Sequence, residues 1–141
     1  MFAFRSSLRG RSARLLTSPP AIAAWRVALL LLIVAVSYLA LTPTPPARLD
    51  TGWDKLNHAL AFSALSIAGY FAFPGSRGRW LAIVCGLVAL GGMIEVLQLF
   101  VPGRNSEWGD LLADSVGILA GSAMASWTLG ALGLRSAPTV G

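Results

Sequence analysis

Hydrophobic residues in this chain fall into four long runs, and the polar residues gather in the gaps between them. From Ala23 to Leu41 the sequence AAWRVALLLLIVAVSYLAL carries a single charge, Arg26, near its start. A run of that length exceeds the apolar region of a secretory leader, roughly 7–15 residues, and predicts a membrane-spanning helix. A basic stretch precedes it as in a cleavable leader, yet Tyr38-Leu39-Ala40 puts a bulky ring where cleavage needs a small residue, so the run is read as retained. Pro43, Pro45 and Pro46 then stop the helix, because each lacks a backbone N–H and restricts the residue before it. The second run, about 55–73, begins beside Asp54, which is placed to cap its first turn, and ends at Pro74-Gly75. The third, about 80–101, contains Glu95 and Gln98 and gives way to Pro102-Gly103-Arg104-Asn105-Ser106. The fourth, about 110–132, is rich in small residues (Ala113, Gly117, Ala120, Gly121, Ala125) that let helices approach closely in lipid.

The expected fold is therefore all-α, a polytopic membrane protein built as a four-transmembrane-helix bundle over residues 23–132. A basic N-terminal segment (1–22) and a short tail (133–141) flank it. Composition agrees: 55% of the 141 residues are hydrophobic and only 12% charged, against roughly 25% charged in soluble domains, and the mean hydropathy is +0.68. The formal charge of +5 comes from basic residues that flank the apolar runs and do not form a patch with aromatics, so no nucleic-acid partner is expected. The lone Cys85 sits in an apolar run, which leaves no disulfide within the chain and no cysteine-based metal motif.

Basic residues in short loops stay on the cytoplasmic side. With an even number of spans and both termini cytoplasmic, Arg5, Arg9, Arg11, Arg14, Arg26, Arg77, Arg79 and Arg135 fall inside, while Arg48, Lys55 and Arg104 fall outside. The acids were not used to set this orientation, yet Asp50, Asp54, Glu107, Asp110 and Asp114 all fall on the outer side, and Glu95 lies nearest that end of its span. The expected location is a multi-pass membrane setting with both termini cytoplasmic and the lipid bilayer as the first partner.

Depth arithmetic converts this scatter into a candidate site. His58 follows Asp54 by four residues and Asp114 follows Asp110 by four, so each pair shares a helix face about one turn inside its span. Glu95 is six residues before Val101, roughly 9 Å below the outer end of the third span at 1.5 Å per residue, with Gln98 a turn above it. Three helices thus offer polar side chains at similar depth, and Arg104 stands in the loop above. Structural roles compete with functional ones. Asp54 and Asp110 stand where N-caps belong, Lys55 can snorkel, and Arg48 and Glu107 read as ordinary loop charges. His58 can bond Asp54 or a carbonyl, and Asp110 can repel Asp114. Glu95 is the hardest to explain structurally, because a carboxylate inside an apolar span costs several kcal/mol unless it is paired, hydrated or neutralised. Pairing with Arg104 or His58 is the structural alternative. Trp25, Trp53, Trp80 and Trp108 lie at the expected interfaces as an aromatic belt.

The series Asp54-Lys55-x-x-His58, Glu95-x-x-Gln98, Pro102-Gly103-Arg104 and Asp110-x-x-x-Asp114-x-x-Gly117-x-x-x-Gly121 resembles the VanZ-like family of small bacterial membrane proteins, over about residues 50–125. At Asp114 the family usually has Asn, so this chain keeps a polar side chain but exchanges an amide donor for a charge. The resemblance nominates His58, Glu95, Gln98, Arg104 and Asp110, the constellation already reached from depth and charge. It also implies a link to glycopeptide resistance, since the family's namesake is associated with resistance to teicoplanin.

Three functions remain open. In the first, an outer-face polar pocket binds an anionic or amphiphilic ligand, such as a lipid-linked or glycopeptide molecule, with Arg104, Gln98, Asp110, Asp114, Asp54 and Lys55 as binding residues. In the second, the chain is a membrane-embedded hydrolase or transferase acting on a lipid-linked substrate, with Glu95 and His58 as catalytic acid or base. Ser63, Ser106 and Ser115 show no nucleophile motif. A metal held by His58, Glu95 and Asp114 has no fixed local motif behind it, so no metal and no cofactor are expected. The third, a transporter using Glu95 as proton carrier, has few polar groups along the inner halves of the helices to work with. The ligand and the oligomeric state are not legible in the sequence.

Overall fold

The computed structural model describes residues 16–44 and 51–132. The basic N-terminal arginines through Arg14, the loop residues Arg48 and Asp50, and the tail with Arg135 lie outside the described residues. The described residues form four long helices and no strand: α1 (Pro19–Leu41), α2 (Asp54–Ala72), α3 (Arg77–Gln98) and α4 (Trp108–Ala131). By length and composition α1 and α3 are apolar enough to cross a membrane.

Helix α1 starts at Pro19, ahead of the apolar run. Pro19 and Pro20 occupy the first positions, where a missing N–H costs nothing, and the Ser18 hydroxyl accepts from Ala21 N at 3.4 Å. Helix α3 ends at Gln98, short of Val101. Phe100 N and Val101 N bond three residues back to Leu97 O and Gln98 O, a tighter turn that suits a residue preceding Pro102. Glu95 therefore lies within the last turn of its helix. The acids expected as N-caps stand just inside the helices. Trp53 is the N-cap of α2 and Glu107 that of α4, neither with a side-chain capping bond, while Asp54 and Asp110 sit in the first turns.

Buried positions form a stripe on three of the helices, Phe62, Leu65 and Gly69 on α2, Leu87, Gly91 and Ile94 on α3, and Gly117, Ile118 and Gly121 on α4, while α1 buries no residue fully. The most extensive pairing joins α2 to α4, and α2 also packs on α1 and α3, so α2 is the hub of the bundle. Two glycines make the α2–α4 contact. A Cβ on Gly117 would stand 2.3 Å from Ala59 O, and one on Gly121 2.3 Å from Ser63 O, so backbone meets backbone at both points. The Ser66 hydroxyl donates to Ile118 O at 2.8 Å and lies 2.8 Å from Ser122 Oγ. The pairs Ser66–Ser122 and His58–Asp114 share a separation of 56 residues, which marks α2 and α4 as parallel and in register. With α1 and α3 running the other way, the bundle is up-down-up-down. One end holds the C-termini of α1 and α3 with the N-termini of α2 and α4. At the other, Arg26 Nε donates to Ala72 O at 3.1 Å and Arg77 and Arg79 open α3.

Candidate functional site

The polar residues nominated by sequence converge at the end where α2 and α4 begin. His58, one turn into α2, places Nδ1 2.9 Å from Oδ1 of Asp114, nearly two turns into α4, and both residues are buried. With Asp114 ionised and the imidazole neutral, Nδ1 carries the proton and Nε2 keeps a free lone pair. Asp114 fits because α3 presents no side chain opposite it: a Cβ on Gly91 would stand 2.5 Å from Asp114 Oδ2.

Glu95 is buried too, and it pairs with neither Arg104 nor His58. Its Oε2 accepts from Ser106 Oγ at 3.1 Å and from Glu107 N at 3.0 Å, which fastens the loop ahead of α4 to the end of α3. Oε1 is buried without a hydrogen-bond partner. Gln98 donates from Nε2 to Ala40 O at 3.1 Å. Arg104 donates from Nε to Thr42 O at 3.0 Å and from Nη2 to Leu39 O. Both hold the C-terminal end of α1, whose last carbonyls have no intrahelical donor, against the loop and α3.

Lys55 donates to Glu107 Oε2 at 2.7 Å and stands 3.5 Å from Asp110 Oδ1. Its ammonium holds the Glu107 carboxyl below the usual carboxylate range. Asp110 is 1% exposed and its Oδ1 has no hydrogen-bond partner. Asp54 is exposed at the rim, and one ligand atom each from Asp54, His58 and Asp110 lies within 4.8 Å of the others. This trio differs from the set of His58, Glu95 and Asp114, at which the sequence leads to no expectation of a metal.

A pocket of about 230 Å3 opens beside these residues. Val36, Leu39, Leu60, Phe62 and Ile94 give it apolar walls, and Asp54, Asn57, His58, Gln98 and Arg104 line its polar part. Sequence reasoning missed Asn57, which neighbours His58 but was not assigned to its face, and whose Oδ1 accepts from Thr51 N at 3.0 Å. It also missed a polar cluster deeper in the bundle. Trp80, expected only as an interfacial anchor, donates from Nε1 to Ser122 Oγ at 3.2 Å beside Ser66. The serines at Ser66 and Ser122 fall on the buried stripes of α2 and α4, a signal that was readable.

Comparison with known proteins adds one match: residues 20–129 fit the family model VanZ/LLP1. No curated protein and no solved structure matches the chain.

Proposed function

The chain belongs to the VanZ/LLP1 family, and from that premise we propose that it is a four-span protein of the bacterial plasma membrane whose outer-end pocket binds an amphiphile with an anionic headgroup. The observation that carries the reading is the pocket itself, with apolar walls for a chain and a polar mouth that includes Arg104. Sites for such ligands are apolar clefts with a few placed polar groups. The four-span assignment is supported by the outward faces. Val27, Leu30, Leu31 and Val34 on α1 and Leu112, Val116, Leu119 and Trp127 on α4 are all more than half exposed, more apolar surface than water tolerates. Helix α4 has a lower mean hydropathy because one of its faces is small and polar and is turned inward to α2. The basic residues Arg26, Arg77 and Arg79 lie at the end opposite the acids, which fits a cytoplasmic inner end and both termini inside.

The test uses purified protein in detergent and a fluorescent single-chain phosphate amphiphile, with a zwitterionic amphiphile of the same chain length for comparison. Saturable binding that prefers the anion is expected, with at least about tenfold loss in Ala61→Trp, which fills the pocket from α2. Equal uptake of both amphiphiles, unaffected by Ala61→Trp, would remove the reading. A link to glycopeptide resistance would show as a raised inhibitory concentration of teicoplanin when the chain is expressed in a sensitive host.

The buried His58–Asp114 pair favours a second reading, a hydrolase or transferase acting on a lipid-linked substrate. A carboxylate on Nδ1 orients an imidazole and fixes its tautomer for base catalysis through Nε2. Glu95 suits a catalytic role less well, since one of its oxygens is engaged by the loop.

A further inference from the structure

Two acids that are almost wholly shielded from solvent, Asp110 at 1% and Asp114 at 0% exposure, stand at one end of an apolar bundle. His58 is committed to Asp114, and Lys55 is hydrogen-bonded to Glu107. Lys55 reaches Asp110 Oδ1 only at 3.5 Å, and that buried oxygen has no hydrogen bond. Asp54 adds a third carboxylate at the rim. We infer that Asp54, His58 and Asp110 form a binding site for a divalent transition-metal ion of the zinc or manganese class.

Three independent features point to it. The first is convergence: Asp54 and His58 are four apart on α2 and so share a face, Asp110 arrives from α4, and their ligand atoms lie within 4.8 Å of one another. Ligands around tetrahedral zinc stand about 3.4 Å apart, given bonds near 2.1 Å. Asp54 is exposed, so a small rotation of its side chain is what would close the set. The second is the carboxylate on one nitrogen of the imidazole, Nδ1, which leaves Nε2 for an ion. Metal-binding histidines donate their other N–H to a carboxylate, which aims the ring and leaves a lone pair for the ion. Asp114 makes that bond to His58 from outside the trio. The third is Asp110 Oδ1, an acceptor removed from water and lacking a hydrogen bond, beside the other two ligands.

The donor set selects the class of ion. One imidazole with two carboxylates suits zinc, iron or manganese better than magnesium, which prefers oxygen and retains its waters. Three protein ligands leave positions open, and because Asp54 and His58 also line the pocket, those positions face it. A bound cation there would add to Arg104 a second positive charge at the pocket for an anionic headgroup. The site extends the amphiphile reading but does not depend on it.

The experiment uses the full chain without a histidine tag, in detergent, stripped with a chelator and titrated with ZnCl2 and with MnCl2 in the absence of lipid. One equivalent should bind, raising the melting temperature by about 5 °C at saturation. Asp54→Asn should weaken binding at least about tenfold while leaving the metal-free melting temperature unchanged, because Asp54 is exposed. Lys55→Met, which removes the nearby ammonium, should tighten binding. No stabilisation by either ion, or stabilisation that survives Asp54→Asn, would overturn the site. A melting temperature that ignores metal but falls in Lys55→Met would overturn it as well, by showing Lys55 to be the counter-ion. Amphiphile binding, measured separately on the same metal-free and metal-loaded samples, distinguishes failure of the metal site from failure of the pocket.

Discussion

One carboxylate oxygen of Glu95 receives both donors that hold the loop entering α4, and the rest of the site depends on where α4 begins. Removing that acceptor should loosen the loop. Glu95→Ala is expected to destabilise the protein by about 2 kcal/mol and Ser106→Ala by about 1 kcal/mol, in line with hydrogen bonds to a charged acceptor. Denaturation in matched detergent measures both, and an unchanged Glu95→Ala would mean that the clasp contributes nothing. At this scale much was legible. Four-residue spacing put His58 on the face of Asp54 and Asp114 on that of Asp110, and depth matched them to Glu95. The partners of Arg104 and Gln98 were not legible, because both are main-chain carbonyls of α1, which carry no residue-type signature. Asp54 and Asp110 read as caps because their residue type suits that role, whereas the helices start at Asp54 itself and at Trp108.

Between elements, glycine has opposite meanings at different positions. Gly117 and Gly121 lie where α4 touches the backbone of α2, so Gly117→Ala forces the helices apart and should cost about 3 kcal/mol, the upper part of the overpacking range. A Cβ on Gly86 or Gly92 of α3 meets nothing within 4 Å, so Gly86→Ala should stabilise by up to about 1 kcal/mol through helix propensity alone. Melting both variants beside the parent checks the contrast, and equal effects would contradict the α2–α4 register. The small-residue stripe of α4 announced close packing without identifying its partner. Nor could hydropathy locate the end of α3, because Leu99, Phe100 and Val101 continue the apolar run after the helix has turned.

For the whole molecule, the acids gather at one end and Arg26, Arg77 and Arg79 lie at the other, and the proposed orientation is one that labelling can test. With Cys85→Ala as background, Asn105→Cys should react with a membrane-impermeant maleimide in intact cells and Ser76→Cys only after permeabilisation; both positions are exposed in the bundle. The reverse pattern would invert the protein, and labelling of both would end the even-span topology. The number of helices and their alternation were readable from the run lengths. The pairing of α2 with α4 was not, since it joins segments that another helix separates in sequence.

That pairing has a consequence for biogenesis. As the chain leaves the ribosome, α1, α2 and α3 emerge first, with His58 present but its partner Asp114 not yet made. The most extensive helix pairing and the polar site therefore form in the same event, the arrival of α4. A nascent chain stalled or truncated before Trp108 exposes a half-built polar end with few contacts to hold it, a state that a membrane protease can tell apart from the finished product.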